Sequence, residues 1–165
     1  MKLSVHPLLL TTLLGAALAQ GASPLKLVLS QALVQAVTEN GKSVEKLVTE
    51  PKAVLPGAVL EQAVAATNTL DKAIGNVIVN LPVPAGTTYL TTVAVSSEVK
   101  TLFSADKGKT FAAAPLTKTI TVTENGKAVQ KEVEVKPAEY TNVRWVIAQL
   151  PAQNTVKLGF RVKVN

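Results

Sequence analysis

A chain of 165 residues with no cysteine and one histidine is constrained before any pattern is read. It is most simply one domain, long enough to bury roughly two thirds of its unfolded surface, and it must fold without disulfide staples. Lys and Arg outnumber Asp and Glu by 17 to 11, and the only aromatics are Tyr89, Phe103, Phe111, Tyr140, Trp145 and Phe160, so the core has to be built largely from Val, Leu, Ile and Ala.

The N-terminus has the three parts of a secretory signal. Met1-Lys2 gives a positive start, Leu8–Leu18 an apolar run, and Ala17-Leu18-Ala19 a small-x-small cleavage site. The run is shorter than the about 20 residues that a bilayer span needs, and no later stretch is apolar enough to anchor the chain. Residues 1–19 are expected to be a signal peptide and residues 20–165 the exported domain, secreted or held in the cell envelope. No cysteine follows the run, which excludes a lipoprotein anchor. His6 leaves with the signal, so the exported chain has neither His nor Cys.

Leu25–Val37 reads as a long strand, because Leu25, Leu27 and Leu29 alternate. An apparent change of phase beyond them suggests a bulge near Ser30-Gln31; a helix is the competing reading. Asn40-Gly41 supplies the positive-φ pair of a type I′ turn, and Ser43–Thr49 returns as the partner strand. Residues 25–49 thus form an N-terminal hairpin, set off by Pro51 and Pro56-Gly57 from a core at 54–165. Strands follow at Ala58–Thr67, Asn76–Leu81 and Tyr89–Val95, with an edge corner at Leu81–Ala85 because Pro82 and Pro84 cannot donate to a ladder. Two apolar-aromatic arms around Asp106-Lys107-Gly108 read as a tight hairpin, with Gly108 at positive φ.

Leu116–Thr123 and Ala128–Val135 make another hairpin around Asn125-Gly126. It repeats the first: TENGKSVEKLV at Thr38–Val48 and TENGKAVQKEV at Thr123–Val133 agree at eight of eleven positions. Either Asn-Gly-Lys hairpins are common enough to coincide, or one element occupies equivalent positions on two sheets. Tyr140–Leu150 and Thr155–Val164 close the chain. The last strand alternates cleanly, with Val156, Leu158, Phe160, Val162 and Val164 inward and Lys157, Arg161 and Lys163 outward. Trp145 and Phe160, on neighbouring strands, are expected to plug the core. Eight to ten short strands with regular turn signals predict an all-β antiparallel sandwich.

The stretch Val54–Thr92, VLPGAVLEQAVAATNTLDKAIGNVIVNLPVPAGTTYLTT, resembles the bacterial surface repeat family called domain of unknown function 11. That family runs Pro-Gly, alternating strand, Thr-Asn-Thr-Gly, apolar strand, Asp-x-Leu-Pro-x-Gly-x-x-Tyr. Its ending, Arg-Trp-x-Ile-x-x-Leu before an alternating strand, is matched from Arg144 to Leu150. Departures are Leu70 for the family's glycine, Gln62 for its tyrosine and Asn80 for its aspartate; the last weakens the case for a cation site at that corner. The resemblance implies an immunoglobulin-like sandwich with an extracellular or envelope role, and it brings no catalytic residues.

The residue inventory points the same way. A nucleophilic triad lacks its base once His6 is removed, and lysines stand at turns and outward positions, which disfavours a Ser-Lys dyad. The acids Glu39, Glu45, Glu61, Asp71, Asp106 and Glu124 are scattered singly, unlike the paired carboxylates of a glycosidase. Zinc would lack its soft ligands, and Asp71 and Asp106 fall in different loops, unlike a calcium site. No catalytic, metal or cofactor site is expected, and no cofactor.

Removing Lys2 leaves sixteen basic residues against eleven acids. These are mostly dispersed lysines, unlike the clustered arginines and exposed aromatics of a nucleic-acid binder. The expected function is an exported, non-catalytic structural or interaction protein of the envelope or extracellular matrix. Its partners would be envelope proteins or polymers, or other copies joined through the N-terminal hairpin. The alternative is a soluble carbohydrate- or anionic-polymer-binding module. Signal peptidase should cut after Ala19; intact mass of the exported protein checks this, and a species retaining residues 1–19 would contradict it.

Overall fold

β-branched residues between regularly placed turn residues give ten strands in the computed structural model, which describes residues 23–93 and 95–165. They are β1 Leu25–Glu39, β2 Lys42–Val48, β3 Val59–Asn68, β4 Ile74–Pro82, β5 Thr87–Thr92, β6 Val99–Ser104, β7 Thr117–Glu124, β8 Lys127–Glu134, β9 Asn142–Leu150 and β10 Thr155–Val164. A 3-10 turn lies at Pro137–Glu139. The signal segment and its cleavage site fall outside the described residues.

The strand pairs are antiparallel. A five-stranded sheet, β2-β1-β3-β10-β5, packs on a three-stranded sheet, β4-β9-β6, while β7-β8 stands apart as a ribbon. This is the all-β sandwich that the alternation predicts. Period-two burial supplies the core: Leu60, Val64 and Ala66 from β3 and Leu158, Phe160 and Val162 from β10 meet Val77, Val79 and Leu81 from β4 and Val143, Trp145 and Ile147 from β9. Trp145 and Phe160 are both 0% exposed and stack at 6.2 Å between ring centroids. They are consecutive in strand order yet lie on opposite sheets, so they seal the sandwich face to face and not side by side. Tyr89, Phe103 and Tyr140 continue this aromatic layer, with Phe103 and Tyr140 4.8 Å apart.

Three expectations need correction. No bulge interrupts β1: its register with β3 runs unbroken from Leu25↔Asn68 to Val34↔Val59. Leu25, Leu27, Leu29, Leu33 and Val37 share one phase throughout. Gln31 and Gln35 interrupt the apolar residues of that phase, while Val28, Ala32 and Val34 stand on the other face. Second, the Asp106 turn has one strand arm only; beyond β6 the return is the isolated bridge Phe103↔Ala112. The apolar arms predict a ladder, but Ala112–Pro115 are exposed and Phe111 is half-buried under the Arg144 guanidinium.

Third, the reading in which one element occupies equivalent positions on two sheets fails: the two Asn-Gly hairpins match locally and differ in setting. Asn40 and Gly41 have φ of 51° and 76°, and Asn125 and Gly126 have 49° and 77°, so each chain reversal uses the same pair of left-handed residues. Yet β1-β2 continues into the main sheet through β3, whereas β7-β8 pairs with neither sheet. The second hairpin has charged or polar residues on most positions and cannot bury a face.

Replacing Trp145 with Ala should destabilise the protein by about 3–5 kcal/mol, the range for deleting a large buried aromatic. The indole Nε1 has no protein acceptor, so its contribution is one of shape. Trp145→Phe should therefore lose clearly less than Trp145→Ala in chemical denaturation.

Candidate functional site

The polar clusters are built by turns and outward strand positions. Where β6 ends, Lys107 and Gly108 both take positive φ, 62° and 82°, and the loop folds around Asp106. Ser104 Oγ donates to Asp106 Oδ1 at 2.6 Å and accepts the Gly108 N–H at 2.9 Å. Asp106 also accepts the Lys109 and Thr110 N–H groups at 3.0 Å and the Thr110 hydroxyl at 2.6 Å. These bonds, led by those from Ser104 and Thr110, hold the Asp106 carboxyl well below the usual carboxylate range. Its acceptor capacity is spent on its own loop, which makes it a brace.

Next to this loop, a groove of about 370 Å³ runs to the base of the β7-β8 ribbon over Phe103, Phe111, Leu116 and Val135. At its rim Lys118 and Glu139 form an ion pair, so the charges there neutralise each other.

Glu45 and Glu61, read from the sequence as isolated acids, converge. Arg161 on β10 reaches Glu45 on β2 at 2.8 Å and Glu61 on β3 at 3.2 Å. The two carboxylates, Glu45 foremost, hold the guanidinium more firmly protonated. The alternation of β10 places Arg161 outward but does not name its partners, which become visible only once β10 is known to pair with β3. Asn80 is occupied too: its Oδ1 accepts from Arg144 Nε at 2.7 Å across the β4-β9 ladder. Asn68, within the Thr67-Asn68-Thr69 motif, is fully buried. Its amide donates to the carbonyls of Lys72, Leu150 and Pro151, tying the β3–β4 loop to the β9–β10 loop.

The sequence named no catalytic, cofactor or metal residue. Of the acids it weighed, the structure brings together Glu45 and Glu61, while Asp106 is enclosed by its own loop and Glu124 pairs with Lys131 across the ribbon. Among the described residues no group of three or more His, Cys, Asp or Glu is placed to hold a metal ion. No helix among them is long and apolar enough to cross a membrane. Five of the six aromatics are buried in the core, and the ring of the sixth, Phe111, is covered by the Arg144 guanidinium at 3.6 Å.

The conspicuous open surface is apolar. The three-stranded sheet covers β3, β10 and β5 but not the full width of its partner. On β1 only Leu25 and Leu33 pack against the core; between them Leu27 and Leu29, which face inward, are 45% and 63% exposed, and Val28, on the outer face, is 50% exposed. Leu47 on β2, paired with Val34, is exposed on that outer face. Comparison with known protein families, curated proteins and solved structures finds no match in any of the three.

The Asp106 brace predicts a pH signature. A carboxyl held ionised in the folded state stabilises the fold above its unfolded value of about 3.9, and the contribution drains away as pH falls through the lower folded value. Wild type should melt above Asp106→Asn at neutral pH, and the gap should close as pH drops below about 4. Melting curves by circular dichroism from neutral to acid pH read this directly; a gap independent of pH would show that the carboxylate charge is not what braces the loop.

Proposed function

We propose that the protein is an exported, non-catalytic structural or interaction protein of the cell envelope or extracellular matrix, acting by binding other copies or envelope components. The observation that carries this reading is the uncovered part of the larger sheet's inner face at Leu27 and Leu29, since exposed apolar surface marks interaction sites. Its polar clusters give further support: Asp106, Arg161, Asn68 and Asn80 each direct their hydrogen bonds to loops and strands of the chain itself. The signal-like N-terminus and the resemblance to an envelope repeat family, with its immunoglobulin-like sandwich, complete the reading, and the likeness rests on the quoted motifs alone. A carbohydrate-binding module would want aromatics aligned on an open face, and here they are turned into the core or capped.

Cell fractionation with quantitative blotting tests the proposal. Most of the protein should be recovered in the envelope or the medium, and cross-linking there should capture it with envelope proteins, polymers or itself. Recovery chiefly in the cytosol would overturn it.

A further inference from the structure

A strand edge is a row of backbone donors and acceptors, and folded proteins blunt such rows with charge, proline, bulges, shortness or cover. Most edges here carry such a device. β2 presents Lys42, Glu45 and Lys46. β4 ends at Pro82 and has Asn76 in the left-handed conformation, φ 52°. β5 contains a bulge at Leu90, where its register with β10 shifts. β6 is six residues long, carries Lys100 and is capped by the Phe103↔Ala112 bridge.

The exception is the first half of β1. Pairing with β2 begins only at Leu33↔Val48, so from Leu25 to Gln31 the strand is paired with β3 on one side and, among the described residues, with no strand on the other. This segment has no proline, no bulge and one charge, Lys26.

Its hydrogen-bonding register is readable. Thr69 N–H donates to Pro24 O at 3.0 Å, which makes the 24/69 position a hydrogen-bonded pair. In an antiparallel ladder such pairs alternate. Even-numbered residues of β1 therefore bond to β3, and Leu25, Leu27, Leu29 and Gln31 turn their N–H and C=O groups outward. A two-fold axis through Val28 engages all four at once, setting Leu27 against Leu29 and Leu25 against Gln31 of a second copy. Val28 then faces its own symmetry mate, and Lys26 faces Ser30, so the lone charge meets no like charge. We infer that this edge is a homodimer interface: two copies join antiparallel through Leu25–Gln31, fusing their five-stranded sheets into one continuous sheet. The axis also brings the exposed Leu27 and Leu29 of both copies side by side. This deepens the interaction reading above by naming the partner as a second copy of this chain.

The absence of cysteine makes the test clean. Non-hydrogen-bonded antiparallel pairs bring Cα atoms to about 4.5 Å, within disulfide reach, so Val28→Cys should form a disulfide-linked dimer on mild oxidation. Val44→Cys, exposed on β2, should not. Light scattering on the purified protein should give twice the chain mass across the micromolar to millimolar range. Val28→Lys, which sets like charges opposite each other, should return the mass to that of one chain while the β-type circular dichroism is retained. If Val28→Lys fails to fold, the cysteine pair still decides. A monomer at all concentrations, or a dimer that neither cross-links at position 28 nor responds to Val28→Lys, overturns the interface. Envelope recovery of a monomeric Val28→Lys protein would leave the proposed function standing, so the two can fail separately.

Discussion

The structure depends on one mismatch: five strands in one sheet, three in the other. An apolar sheet face is stable only when covered, and the cover here extends over β3, β10 and β5. Within the overlap everything is dense, with Trp145 against Phe160 as its centre and Val, Leu and Ile from four strands around them. Outside it, β1 and β2 keep the same inward phase but have nothing to face. One strand thus belongs to the core at Leu25 and Leu33, and to the surface in between.

A domain without disulfides must hold its loops by other means, and the polar clusters supply them. Asp106 closes the turn after β6, Asn68 ties two loops at one end of the sandwich, and Arg161 links β10 to β3 and β2. Exposed ion pairs are weak individually. The buried Asn68 is different, because a buried amide left without partners is expensive, so its bonds set the relative position of the loops more strictly than the surface pairs do. The Thr67-Asn68-Thr69 triplet is thereby explained as a structural device, with Thr67 bonded to Thr155 and Thr69 to the carbonyl of Ser23 at its flanks.

Strand identity was legible wherever one face is covered and the other wet. Thr155–Val164 was read with its bounds and its inward set because Lys157, Arg161 and Lys163 mark the solvent side. Both Asn-Gly turns were legible from backbone chemistry alone. Misreading began where that contrast fails. In β1 Gln31 and Gln35 share the inward phase of the leucines while Val28, Ala32 and Val34 stand on the outward face, so composition no longer reports on which face is which. Pairing between distant strands was also invisible: nothing local says that Glu61 sits beside Arg161, and so the meeting of Glu45 and Glu61 could not be foreseen. The repeated TENGK hairpins show the same limit from the other side, since near-identical sequence specifies the turn but not whether the strands join a larger sheet.

The distribution of charge bears on how an open edge can persist. A net charge of +6 keeps copies apart at long range, but at physiological salt that repulsion fades beyond about 8 Å. What happens on closer approach is then local. Most edges present a lysine, a bulge, a proline or a covering segment, and these prevent sheets from merging indiscriminately. On the Leu25–Gln31 segment the only charge is Lys26, at one end, in a register where it stands opposite serine. Dispersed lysine elsewhere and its near absence here act together: the first excludes most ways for two sheets to meet, and the second leaves one. In the proposed dimer, an apolar edge that would be a liability on a uniformly neutral protein becomes a restricted and self-complementary contact.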